Sequence, residues 1–213
     1  VVINLIGDDI LFFSLPWLPI SVIGTAVAIY LGFKNNQSYD RTWEARKIWG
    51  AIVNDSRSFS VLLRDFLSSN GNVDKENFRQ IVHRHISWLY QLSFQLRQAK
   101  EWEHDKKREK KLRAKLVKDF ALPINTDFLK NYLSPEEFES VNRKKNIATH
   151  LIANNSKDLS TLKNEQSISD YQFVELSKYI SAFYDHQRMC ERIKNFPLPR
   201  QFSSFSNYFV IFF

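Results

Sequence analysis

Positions 10–33 carry no charged side chain, and this run constrains the fold more than any other feature of the chain. A helix needs roughly 20 apolar residues to cross the hydrocarbon core of a bilayer, and the run is 24 positions long. It contains Pro16 and Pro19. Proline fits the first turn of a helix, where its missing N–H has no helical partner, so a helix is predicted to start near Pro19 with Trp17 as an interfacial anchor. Pro19 to Phe33 is 15 residues, short for a full crossing, so the helix is predicted to continue into the polar segment that follows. Val1 to Ile6 reads as the end of an earlier crossing, with Gly7, Asp8 and Asp9 as its aqueous turn. Both ends of the chain, which starts at Val1 and stops inside the apolar run Tyr208 to Phe213, read as cuts through membrane segments.

Two stripes lie along this predicted helix. Gly24, Ala28 and Gly32 recur every four residues and let another helix backbone approach closely. Thr25, Ile29 and Phe33 form the neighbouring stripe. Periodicity alone assigns it to packing; on a symmetry axis it would instead stack as rings that gate by dewetting.

The remainder reads as helix. The chain is 44% hydrophobic, which excludes a disordered polymer, and five glycines and six prolines leave long uninterrupted runs. A single cysteine, Cys190, excludes an internal disulfide. Residues 51–98 are predicted to be amphipathic helix broken by a turn at Ser68 to Asn72, with Phe78, Ile81, Val82, Ile86, Leu89, Leu92 and Leu96 as the buried stripe. Ser134, Pro135 and Glu137 predict a helix start with a capping box. Ser169 and Gln172 predict another, opening a helix that runs to about Asn195 and breaks at Pro197 and Pro199.

Lys106 to Lys118 holds eight basic residues and one acid. It reads as a solvated helix end, since neither interleaved aromatics nor a known module supports nucleic-acid binding. His83 and His85 are two apart and point to different helix faces, not the i, i+4 spacing of a metal pair. No phosphate loop, nucleophile elbow or cysteine cluster is present, so neither an enzyme, a metal nor a cofactor is expected.

The segment after the apolar run carries a more specific signal: Gly32, Phe33, Lys34, Asn35 and Asn36, then Ser38 to Arg46 with Asp40, Arg41, Trp43 and Glu44, closing on Trp49 and Gly50. It resembles the bestrophin family, in particular its bacterial branch, with Lys34 and Thr42 as departures. Cys190 to Ile193 followed by Pro197 and Pro199, and Lys145 to Ile152, are similar to two further elements of that family in the same order.

The resemblance implies an all-α fold in which transmembrane helices continue into a helical cytosolic domain around a central pore. The corresponding segments are 1–6 as the end of a first crossing, 10–50 as pore helix and inner-mouth motif, 51–200 as cytosolic domain, and 201–213 as the start of a further crossing. It implies a pentameric homo-oligomer in a bacterial inner (plasma) membrane, multi-pass, with most of the chain cytoplasmic. Its partners are the lipid bilayer and permeant monovalent ions, chloride by family or alternatively a cation, with no nucleic acid.

The neck would be Thr25, Ile29 and Phe33, with Thr25 replacing a bulkier apolar residue. Asn35, Asn36, Asp40, Arg41, Glu44 and Arg46 would form the inner mouth. One of Ile147, Leu151 or Ile152 would make a second, cytosolic constriction. The competing expectation is a non-conducting, membrane-anchored helical scaffold that binds a cytosolic partner.

Overall fold

The computed structural model describes residues 17–69, 72–98 and 125–196, with isolated helical positions at 111, 114, 115 and 118. The expected first crossing (1–6), its turn (Gly7 to Asp9), the prolines at 197 and 199, the segment 201–213 and most of the basic run 106–118 lie outside the described residues.

Helix α1 runs from Trp17 to Phe66, 50 residues. A small antiparallel hairpin follows, β1 (Ser68–Ser69) paired with β2 (Asn72–Val73) in the register Ser68 to Val73 and Ser69 to Asn72. Helix α2 spans Lys75–Arg97. A 3-10 turn at Asp127–Asn131 leads to α3 (Pro135–Asn142), α4 (Ile147–Asn164) and α5 (Asp170–Asn195).

The membrane architecture is corrected by this structure. No described helix is long and apolar enough to cross a membrane. The reason is local. The helix is described from Trp17, and the first seven positions of the charge-free run 10–33 lie outside the described residues. Among the described residues, 17 helical ones precede Lys34, short of the roughly 20 required. Beyond Phe33 the same helix carries Lys34, Asp40, Arg41, Glu44, Arg46 and Lys47. The fold class with transmembrane helices around a pore, the pentameric membrane channel, the membrane-anchored scaffold, the lipid-bilayer partner and the multi-pass inner-membrane location are all overturned by that finding.

The chain divides into two compact units. One comprises Val1–Trp43 with Pro197–Phe213, of which the structure describes 17–43. The other is Glu44–Phe196.

The second unit has a well-defined core. On α1, Ile48, Ile52, Phe59 and Leu63 fall at i, i+4, i+11 and i+15, one face of a helix, and all are buried. They share a cluster with Ile81, Trp88 and Leu92 of α2, with Leu151, Leu159 and Leu162 of α4, and with Leu176, Ile180 and Phe183 of α5. Each such side chain contributes at most about 1.5–3 kcal/mol on burial. Phe59, His85, Trp88 and Phe183 form the aromatic centre, with an edge-on Phe59–Phe183 pair at 5.5 Å between ring centroids.

The helix ends follow from local chemistry. Ser169 caps α5 with a full capping box: its hydroxyl accepts from Gln172 N, and Gln172 Oε1 accepts from Ser169 N at 2.8 Å. Helix α4 ends in a Schellman motif, with Ser167 N donating to Leu162 O and Gln166 N to Lys163 O. The left-handed position of that motif is held by Gln166, at φ 58°, where glycine is the usual residue.

Candidate functional site

Of the sequence-derived positions, the α1 stripe is the most open. Ile29 is 57% exposed and Phe33 66%, and Thr25 is exposed with its hydroxyl donating to Ser21 O at 2.9 Å. That i−4 bond occupies the hydroxyl hydrogen and leaves the oxygen lone pairs outward. A Cβ built on Gly24 or Gly32 meets nothing within 4 Å, so both glycines border open space.

The polar motif divides between the two units. Asn35, Asn36, Asp40 and Arg46 are exposed, and Arg41 is half-buried. Tyr39 and Trp43 stack with their rings 6° from parallel. Glu44 is paired within its own unit, with the Arg192 guanidinium of α5. Ile147, Leu151 and Ile152 sit on the inner side of α4, all buried in the core cluster and Leu151 completely so.

A network that the apolar pattern does not reveal lies beneath α2. The Arg84 side chain is 4% exposed. Its guanidinium grips Glu137 with two bonds, Nε to Oε1 at 2.5 Å and Nη2 to Oε2 at 3.0 Å, and donates through Nη1 to Asn155 Oδ1 and Asp158 Oδ2. Glu137 was expected to close a capping box on Ser134. Ser134 does cap Glu137 N, but the carboxylate reaches instead to Arg84 and to Asn154. The reason is energetic: a buried guanidinium left without its carboxylate costs several kcal/mol, far more than a capping-box bond contributes. Burial pulls the Arg84 pKa down, but the bonds to Glu137 and Asp158 outweigh it and the group stays above its ordinary value.

A second chain of hydrogen bonds joins α2, α4 and α5. Trp88 Nε1–H can only donate, and it does so to Gln187 Oε1 at 3.0 Å, which fixes the orientation of that amide. Gln187 Nε2 then donates to Thr149 Oγ1 at 2.9 Å and Glu191 Oε1 at 2.8 Å. Asn146 caps α4 by accepting from Thr149 N through Oδ1, and donates to Glu191 Oε1 at 3.2 Å. His186 Nε2 donates to Asp55 Oδ2 at 2.6 Å, tying α5 to α1.

His83 and His85 diverge as their spacing requires. His83 packs edge-on against Tyr132, whereas His85 lies in the aromatic centre with Nε2 2.9 Å from Ser56 Oγ. Ser56 donates its own hydrogen to Ile52 O, so the imidazole proton sits on Nε2. Burial drives the His85 pKa down to about 4. The Cys190 thiol is pushed up to about 11, by burial first and then by the Glu191 charge, which makes it a poor nucleophile. Among the described residues, no group of three His, Cys, Asp or Glu is arranged to hold a metal.

Clefts open on the second unit among its described residues. One of about 310 Å³ lies between α2 and the 3-10 turn, bordered by Glu76, Arg79, His83 and Tyr132. Another, of about 530 Å³, lies where α2 and α5 end and α4 begins, bordered by Gln95, Lys145, Asn146, His150, Glu191 and Lys194.

A helical unit of this build, with a charged lattice between its helices and an exposed apolar stripe on a long leading helix, defines a class that sequence comparison identifies. The model of the bacterial/fungal bestrophin proteins matches residues 2–213, and the chain belongs to that family. Bestrophin-family channels are non-catalytic, and the chain is not an enzyme.

Among its relatives is the voltage-dependent anion channel-forming protein YneE of Escherichia coli K12, 26% identical over 207 residues, covering 92% of this chain and 59% of the relative. The voltage-dependent anion channel-forming protein RSc3414 of Ralstonia nicotianae is 45% identical over 73 residues, covering 32% of this chain and 23% of the relative. The chain therefore spans little more than half the length of the YneE protein. A bestrophin homolog from Klebsiella pneumoniae has the same fold, with a TM-score of 0.75 at 22% identity, covering 93% of this chain and 63% of that one.

Proposed function

We propose that this chain is part of a homo-oligomeric ion-permeation protein, in which the Glu44–Phe196 unit supplies the rigid helical scaffold and the face of α1 bearing Thr25, Ile29 and Phe33 lines the path between copies. The observation that carries the reading is the family match along nearly the whole chain, together with relatives named as anion channel-forming proteins. The exposed stripe supports it. Large apolar side chains left open beside glycines that border empty space are the surface a second copy would cover. The polar groups of Asn35 and Asn36, one helical step beyond Phe33, suit ions that have shed part of their water.

The test is chloride flux into vesicles by the purified full-length protein, with and without Ile29→Ala and Phe33→Ala. The reading predicts flux above protein-free vesicles and a several-fold rise when both side chains are shortened. Absence of flux overturns it, and an unchanged rate in the double variant removes the stripe from the path.

A further inference from the structure

Tyr39 and Trp43 form an aromatic pair that stands open on α1. Tyr39 is 66% exposed and Trp43 48%. Their rings lie 6° from parallel, with centroids 6.4 Å apart. A planar cation can therefore lie parallel to both rings at once, and among side chains that cation is a guanidinium. Asp40 lies toward the side of Ile29 and Phe33, so no carboxylate shares the flank of the two rings. Arg46 does share it, about one turn further on and exposed to solvent, where its charge is screened.

Helical geometry selects the guanidinium. Each residue of an α-helix advances about 100° around the axis and about 1.5 Å along it. Arg41 comes two residues after Tyr39 and two before Trp43. It therefore projects about 180° from the midline of the pair, at the height midway between the two rings. The midline of Ile29 and Phe33 falls between these directions, roughly 80° from the aromatic pair and roughly 100° from Arg41. With Ile29 and Phe33 turned to a path, the rings and Arg41 stand on opposite flanks of α1. Copies related by rotation about that path present equal heights to each other, and one flank of each copy meets the other flank of the next. Arg41 then arrives level with the two rings.

We propose, resting on the reading that copies surround a path lined by Ile29 and Phe33, that the guanidinium of Arg41 stacks on Tyr39 and Trp43 of a second copy. Each copy gives one cation and receives one, so every such site is incomplete without its neighbour. Stacking uses the face of the guanidinium and leaves its in-plane N–H groups to hydrogen bonds. Gly32 lies on the ring-bearing flank, and a Cβ built there meets nothing within 4 Å, which leaves room for the neighbouring helix.

The experiment is a double-mutant cycle on the full-length protein. Isotope-labelled and unlabelled copies are mixed, and native mass spectrometry follows their exchange between oligomers. Arg41→Ala and Trp43→Ala should each speed exchange about three-fold or more, with far-UV circular dichroism unchanged. The double variant should exchange no faster than either single one, because each substitution already removes the same contact. Trp43→Phe keeps a ring and should stay within two-fold of the parent. Within one chain Arg41 and Trp43 point apart, so independent roles would multiply in the double variant and overturn the proposal. Parental exchange in both single variants would overturn it as well, while leaving the ion path standing. A parent protein that is a single copy would overturn the stacking and the path together.

Discussion

Arg84 shows how a single side chain organises the second unit. It sits on the inner face of α2 and meets carboxylates from α3 and α4, Glu137 and Asp158, so one guanidinium fixes the spacing of three helices. Removing it leaves Glu137, 15% exposed, without its countercharge. Arg84→Ala should therefore lower the unfolding free energy by about 3 kcal/mol, the low end of the cost of breaking a buried pair because Asp158 keeps some solvent. Urea denaturation of parent and variant measures it.

His85 makes the opposite case, a titratable group held neutral. Its folded pKa of about 4 lies below the ordinary 6.5, so folding favours the neutral ring. Its contribution is complete above about pH 6.5 and is lost as pH falls toward 4, reaching on the order of 3 kcal/mol below that. Denaturation midpoints should fall between pH 6.5 and 4, and His85→Gln should flatten that fall; equal slopes would contradict the assignment. Neither residue was legible in the sequence. A stripe drawn through apolar positions passes over Arg84, His85 and Gln91, and only their spacing with Ile81, Trp88 and Leu92 places them on one buried face.

At the scale of elements, local chemistry was legible and tertiary competition was not. The Ser169 box, the helix to Asn195, the turn after Phe66 and the start of α3 all follow from caps, proline and short-range polarity. The turn is a two-residue-per-strand hairpin, a detail no periodicity carries. Helix α1 is described from Trp17, two residues before Pro19, and the charges from Lys34 onward leave no described helix apolar enough to span a bilayer. The Glu137 carboxylate left its expected cap for Arg84, a partner 53 residues away in sequence.

Two substitutions test the helix ends. Ser169→Ala removes the hydroxyl half of the capping box, the bond from Gln172 N, and should cost about 1 kcal/mol. Gln166→Gly relieves a left-handed backbone at the end of α4 and should stabilise by about 1 kcal/mol. Thermal unfolding of each variant reads the sign directly, and a destabilising glycine would mean that the Gln166 side chain matters more than its backbone.

For the whole molecule, the sequence carried the family through residues that do not themselves explain the fold. Gly32 to Gly50 marks the resemblance, yet most of its polar members are exposed, and Glu44 pairs with Arg192 inside the second unit. The core that holds the unit together takes Ile48 from that stretch, with Trp49 packed against it, and is otherwise built from other positions. Such a pattern is understandable if the motif serves contacts between copies, which a single chain cannot display.

That possibility is open to one direct measurement, the mass of the purified full-length protein by light scattering or native mass spectrometry. A homo-oligomer of defined stoichiometry is predicted, shifting toward smaller particles when Ile29 and Phe33 are replaced by charged residues. A single copy under all conditions would contradict the account, because Thr25, Ile29 and Phe33 would then face no neighbour and enclose no path.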